Sequence, residues 1–218
     1  MKFFLVILLV LTSRWAEATL ASQTFTPGNG TIWDGNPVGT SFTGNFNQTG
    51  FNSPVLAVSI GFNITGGYNG DLYAYLVAPN GTVVVLLNQP GTGVFGSAAS
   101  GFGNGTANSF KLTDTGASSI QGVDGTPGQA VMGSYSVDAT SGNSLNNFVT
   151  SGASANGNWT LYFADLSSGG GTSYLHDWTL NLTVVPEPVP LALLTFLAML
   201  LALAGLKWAW SKPAANTH

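Results

Sequence analysis

The residues in this chain that could do chemistry are few, and they are mostly acidic. Between Thr19 and Val185 stand seven aspartates (Asp34, Asp71, Asp114, Asp124, Asp138, Asp165 and Asp177), no glutamate, one lysine, Lys111, and one histidine, His176. Nucleophilic catalysis needs a base within reach of its nucleophile and a third group to orient that base. His176 is the one candidate base. Its neighbour Asp177 is the wrong partner, because consecutive strand residues point to opposite faces. The Gly-Thr-Ser triplets at 39–41 and 171–173 extend into no longer nucleophile motif, and the chain has no cysteine. A carboxylate pair for glycoside hydrolysis stays formally open, but seven scattered aspartates nominate none. What these residues suit is a hard cation such as calcium, whose ligands are carboxylates and backbone carbonyls. One positive charge against seven negative, net −6, argues against nucleic acid, which is held by Lys and Arg on phosphate.

Two local patterns fail on context. GTGVFG (91–96) fits a phosphate-binding glycine pattern, but no helix start follows to hold a phosphate. GGYNGDLYA (66–74) approaches a calcium β-roll nonapeptide, and a single copy has nothing to stack on.

The elements that must position the aspartates read as strands. In VLAVSIGFNI, Leu56, Val58, Ile60, Phe62 and Ile64 share one face, while Ala57, Ser59, Gly61 and Asn63 take the other. Trp178, Leu180, Leu182 and Val184 alternate in the same way, as do Trp159, Leu161 and Phe163. DLYAYLVAP, then Asn80-Gly81, then TVVVLLN predicts a hairpin. Nothing between 19 and 185 sustains a 3.6-residue period. Ala98–Thr106 and Thr115–Ser144 are rich in Gly and Ser and predict loops. The recurring Asn-Gly-Thr triplets read as turn chemistry. The expected fold is an all-β, antiparallel, jelly-roll-like β-sandwich, large enough to be stable without disulfides.

The two ends differ from this middle. Residues 1–18 read as a signal peptide: Lys2, an apolar run, then Ala16-Glu17-Ala18, with Ala16 and Ala18 placed for signal peptidase. Near the other end, Val185, Pro186, Glu187 and Pro188 precede an uncharged run, Leu191–Leu206, bordered by Lys207, Trp208 and Trp210. A helix over 189–210 would reach about the ~30 Å of a hydrocarbon core, with the indoles at the interface. The prolines break regular structure just outside it. Together, residues 185–212 resemble the PEP-CTERM sorting signal of bacterial exported proteins. That resemblance implies exosortase as a processing enzyme and delivery to the cell envelope or extracellular matrix. The family usually ends in an arginine-rich cluster; here only Lys207 and Lys212 stand in its place, so a permanently anchored form is the alternative.

Three stretches of the middle, TIWDGNPVG (31–39), ITGGYNGDLYAYLVAPNGTVVVLLNQPG (64–91) and ANGNWTLYFADLSSGGGTSYLHDWTLNL (155–182), resemble the proprotein convertase P domain (P/Homo B) in order and spacing. The resemblance implies a β-sandwich that often binds calcium and stabilises a neighbouring subtilase. Asp34, Asp71 and Asp165 match its acidic positions and are the implied calcium ligands. Two positions depart from it: the family's histidine is Gly66 here, and its late acid is replaced by Gly170 and Gly171.

The expected organisation is a signal peptide over 1–18, a lead over 19–30, the sandwich over 31–184 and the sorting signal over 185–212. The expected function is a non-catalytic exported module, structural, adhesive or binding a matrix polysaccharide. The rivals are a protease-associated P domain acting with a separate subtilase, and a cryptic hydrolase.

Overall fold

A computed structural model of the chain describes residues 17–91, 108–123, 130–137, 142–185 and 196–203. Among these, the strands are β1 (Thr19–Phe25), β2 (Thr31–Ile32), β3 (Thr40–Phe46), β4 (Val55–Gly66), β5 (Leu72–Val77), β6 (Val83–Asn88), β7 (Asn108–Thr113), β8 (Met132–Tyr135), β9 (Gly157–Asp165) and β10 (Ser173–Val184), and a short helix, α1 (Asn146–Thr150), lies between β8 and β9. They form two sheets. The larger has the order β1-β10-β4-β7-β8, with β2 also on β10; the smaller is β3-β9-β5-β6.

Period-2 patterning accounts for the layering. Val58, Ile60, Phe62 and Ile64 of β4 and Trp178, Leu180, Leu182 and Val184 of β10 are buried on one side of the large sheet. Trp159, Leu161 and Phe163 of β9 and Leu72, Ala74 and Leu76 of β5 meet them from the small one. Each such Leu, Ile or Val contributes roughly 1.5–3 kcal/mol by leaving water. Phe62 packs edge-on against Phe110 at 5.4 Å within its sheet and against Phe163 at 5.6 Å across the interface. Trp159 is buried without an unmet polar group, since its indole N–H donates to the Ala155 carbonyl at 2.9 Å. The hairpin expected at Asn80-Gly81 forms between β5 and β6, and Gly81 takes φ +84°, which glycine adopts without a steric penalty.

Five sequence expectations need correction. Residues 19–25, read as a lead, are β1, paired with β10 over seven positions from Thr19↔Val184 to Phe25↔Trp178. The expected boundary at 31 therefore moves to Ala18, and the sandwich unit runs Ala18–Pro186. Leu56 is exposed rather than inward, because a register shift opposite Thr183 and Val184 makes it an extra residue. The Gly/Ser-rich stretch 115–144 contains β8, and β8 pairs with β7 in parallel, so the sandwich is not wholly antiparallel. Its periodicity is hidden because the strand is short and glycine-bearing. Finally, α1 has too few residues for a helical period to show; buried Phe148 anchors it against Trp159 at 5.2 Å.

The expected signal peptide falls outside the described residues up to Ala16, as do Pro186, Glu187, Pro188, Lys207, Trp208 and Trp210. Of the expected span, residues 196–203 are described, as helix. No described helix is long and apolar enough to cross a membrane.

Candidate functional site

Asp34, Asp71 and Asp165 are far apart in sequence, and the two sheets bring them to one end of the sandwich. Asp165 closes β9 and Asp71 immediately precedes β5; Leu72 is the register partner of Asp165. Asp34 lies in the turn between β2 and β3. That turn is held by its own backbone bonds, Asn36 N–H to the Trp33 carbonyl and Gly39 N–H to the Asn36 carbonyl. It is also pinned from outside by the Tyr162 hydroxyl, 3.0 Å from the carbonyls of Pro37 and Val38. Tyr162 stacks on Tyr75 with centroids 4.4 Å apart. Burial, with the neighbouring Tyr75 and Tyr73, raises its pKa, so the hydroxyl keeps the proton it donates.

The three carboxylates are treated differently. Asp165 is fully buried. Its Oδ1 accepts from the N–H of Ser167 at 3.2 Å and of Gly35 at 3.4 Å. Its Oδ2 is buried with no hydrogen-bond partner among the described residues. Burial pushes its pKa up to about 6, against the pull of those two N–H groups, and the charges of Asp71 and Asp34 add to the rise. Asp71 is buried as well. Asp34 is exposed and turns to the late loop: Gly169 N–H reaches both of its oxygens at 3.1 Å, and Gly170 N–H reaches Oδ1 at 3.2 Å.

The departures at Gly66, Gly170 and Gly171 have geometric causes; at Gly171 the cause is its φ of +85° alone. Gly66 takes φ +78°, and a Cβ there would stand 2.5 Å from the Thr172 carbonyl oxygen, so histidine does not fit this backbone. A Cβ on Gly170 would meet the Tyr68 side chain at 2.7 Å. The late loop thus offers amide N–H groups to Asp34 where an acidic side chain would have added a fourth carboxylate.

Buried, mutually repelling carboxylates suit a hard divalent ion by donor chemistry, and Asp165 Oδ2, with no hydrogen-bond partner among the described residues, is the clearest acceptor. The fit is carried by Asp165 and Asp71. Asp34 spends its oxygens on the glycine amides, and no three His, Asp or Glu side chains among the described residues are grouped to hold a metal.

Residues 55–123 match the proprotein convertase P-domain family model. That match includes Asp71 and the middle stretch of the resemblance, and leaves Asp34 and Asp165 outside. No curated protein matches the chain. Among solved structures, the serine protease of Aeromonas sobria in complex with a chaperone is similar at 17% identity and a TM-score of 0.49, over 78% of this chain and 28% of that one. The serine protease of Aeromonas sobria also matches at 17% identity and a TM-score of 0.47, over 77% and 27%. The chain thus spans just over a quarter of the length of the structures it resembles.

The neighbours His176 and Asp177 depart from the expected alternation. A register shift between Leu175 and Asp177 suspends the alternation, and His176 and Asp177 both lie outside the core between buried Leu175 and Trp178. They still bond to different partners. His176 Nε2 lies 2.7 Å from Thr65 Oγ1, and Asp177 Oδ2 accepts from Asn63 Nδ2 at 3.2 Å. Sequence alternation alone could not place this bulge.

Proposed function

We propose that this chain is an accessory β-sandwich that works with a separate serine peptidase of the subtilase type, stabilising it without supplying catalytic groups. The observation that carries the reading is the P-domain match over the central hairpin and its flanking strands. The gathering of Asp71 and Asp165 at one end supports it. On this reading calcium, held by those carboxylates with backbone carbonyls and water completing the shell, neutralises the buried charge and stiffens the loops around it. The chain's own part is to present Asp165 Oδ2 and to keep the Asp34 turn closed through Gly169 and Gly170.

Export belongs to the same proposal. Support comes from the residues at the two ends: a signal peptide cut after Ala18, and Val185-Pro186-Glu187-Pro188 with the following apolar run as an exosortase signal. An envelope or matrix location would put the sandwich beside exported peptidases.

The test is retention of a peptidase labelled by a fluorophosphonate probe on the immobilised full chain, together with the thermal half-life of that peptidase. The reading expects retention and a longer half-life. A chain that retains no labelled peptidase from its own source cells would remove it. The intact mass of the protein recovered from those cells tests both cleavages.

A further inference from the structure

The outer face of the large sheet carries a regular side-chain grid with one gap. Lys111 of β7, Gly61 of β4 and Thr179 of β10 are register partners in one cross-strand row, and Ser109, Asn63 and Asp177 form the next. Gly61 is the gap. A depression of about 280 Å3 opens there, lined by these six residues together with Phe62, Phe110 and Gly133. Phe62 and Phe110 bury their rings on the other side of the sheet.

Nothing in the fold requires glycine at 61. Its φ is not in the left-handed region. A Cβ there would lie 3.7 Å from the Phe110 carbonyl oxygen and 3.9 Å from Thr179 Cβ, which are ordinary contacts. Glycine inside a strand weakens it, and often marks a place where a ligand comes close to the backbone.

The lining specifies the ligand's chemistry. Lys111, the only basic residue between 19 and 185, faces the gap from one side and Asp177 from the other, so neither an anion nor a cation is favoured overall. Asn63 Nδ2 holds Asp177 Oδ2, leaving Oδ1 as an acceptor beside the Asn63 carbonyl. Ser109 adds a hydroxyl, Thr179 adds another that already shares a hydrogen bond with Thr24 Oγ1 at 2.8 Å, and no apolar side chain is offered. Donors and acceptors together around one floor match a ligand rimmed with hydroxyls, each of which both donates and accepts. We infer that the Gly61 depression binds one ring of a neutral saccharide, a vicinal diol bridging Asp177 and Lys111 while the sugar face rests on Gly61. The inference stands apart from the peptidase reading, because its residues lie on the sheet's outer face and include none of Asp34, Asp71 or Asp165.

The experiment uses the labelled full chain in a sugar-free detergent on an array of neutral and uronate oligosaccharides. Neutral glycans are expected to be retained. Gly61→Val, which fills the gap with a strand-favouring side chain, and Asp177→Asn are each expected to weaken binding about tenfold or more, with the melting temperature of Gly61→Val at or above the parent's and that of Asp177→Asn unchanged. Asn181→Ala, further along β10, should bind as the parent does. No retained glycan, retention of uronates alone, unchanged binding by Gly61→Val, or a loss shared by Asn181→Ala would each overturn the assignment.

Discussion

The carbonyl of Asp71 accepts the N–H of Leu166 at 3.0 Å, tying the turn before β5 to the residue that follows Asp165. Whatever ionises or coordinates at Asp165 therefore acts on both chain segments at once.

The first prediction concerns pH. The folded chain holds the Asp165 proton more tightly than the unfolded one, with the pKa raised from 3.8 to about 6. Stability from this group is full below about pH 3.8 and is lost as pH rises through about 6. In chelator, the melting temperature should fall across that window, and Asp165→Asn should flatten the slope. A melting temperature in the parent that rises over the same range would contradict the buried, proton-retaining carboxyl.

Calcium should act in the opposite sense. At pH 7 it binds the ionised carboxylates, so millimolar calcium should raise the melting temperature, by about 2.7 kcal/mol of stability at one hundred times its dissociation constant. Asp71→Ala should remove the gain. Asp34→Ala should reduce it less, since Asp34 is engaged by Gly169 and Gly170. Calorimetry with and without chelator reads both effects, and identical curves would rule the site out.

At Gly66, histidine restores the family's residue and should still destabilise. The positive φ and the close Thr172 carbonyl impose a cost on the order of 1–3 kcal/mol. Chemical denaturation of Gly66→His alongside Gly61→Val separates the strained glycine from the unstrained one; equal stability of the two would refute the distinction.

Tyr162→Phe keeps the stack on Tyr75 and removes the donor to Pro37 and Val38. A loss of about 0.5–1.5 kcal/mol is expected, together with faster amide exchange in the turn that carries Asp34. Unchanged exchange there would show that the hydroxyl does not hold the turn.

Phe148→Ala empties a fully buried site against Trp159 and should cost about 3–5 kcal/mol, read from denaturant midpoints. A loss below 1 kcal/mol would mean that α1 is not anchored by this ring.

The strands with long alternation, β4, β9 and β10, could be read from sequence, because a half-buried strand writes its period directly into residue type. β8 and α1 were not legible, because four or five residues carry too little pattern. The bulges at Leu56 and His176 were hidden for a related reason: an extra residue in a strand changes register without changing composition. At the acidic end, the three aspartates could be chosen only through the resemblance. Their division into one that binds glycine amides and two that are buried depends on loop geometry, which residue type does not encode. The Gly61 gap was visible as an outward-facing position in β4, but its neighbours come from β7 and β10, and cross-strand register was needed to find them.

The pairing Thr19↔Val184 puts the first residue of β1 and the last residue of β10 side by side on neighbouring antiparallel strands. Tension applied through both ends would load the β1–β10 ladder one rung at a time, peeling it open like a zipper instead of sliding it in shear. Held from both ends in this way, the domain would carry the load on one hydrogen-bonded rung of the β1–β10 ladder at a time.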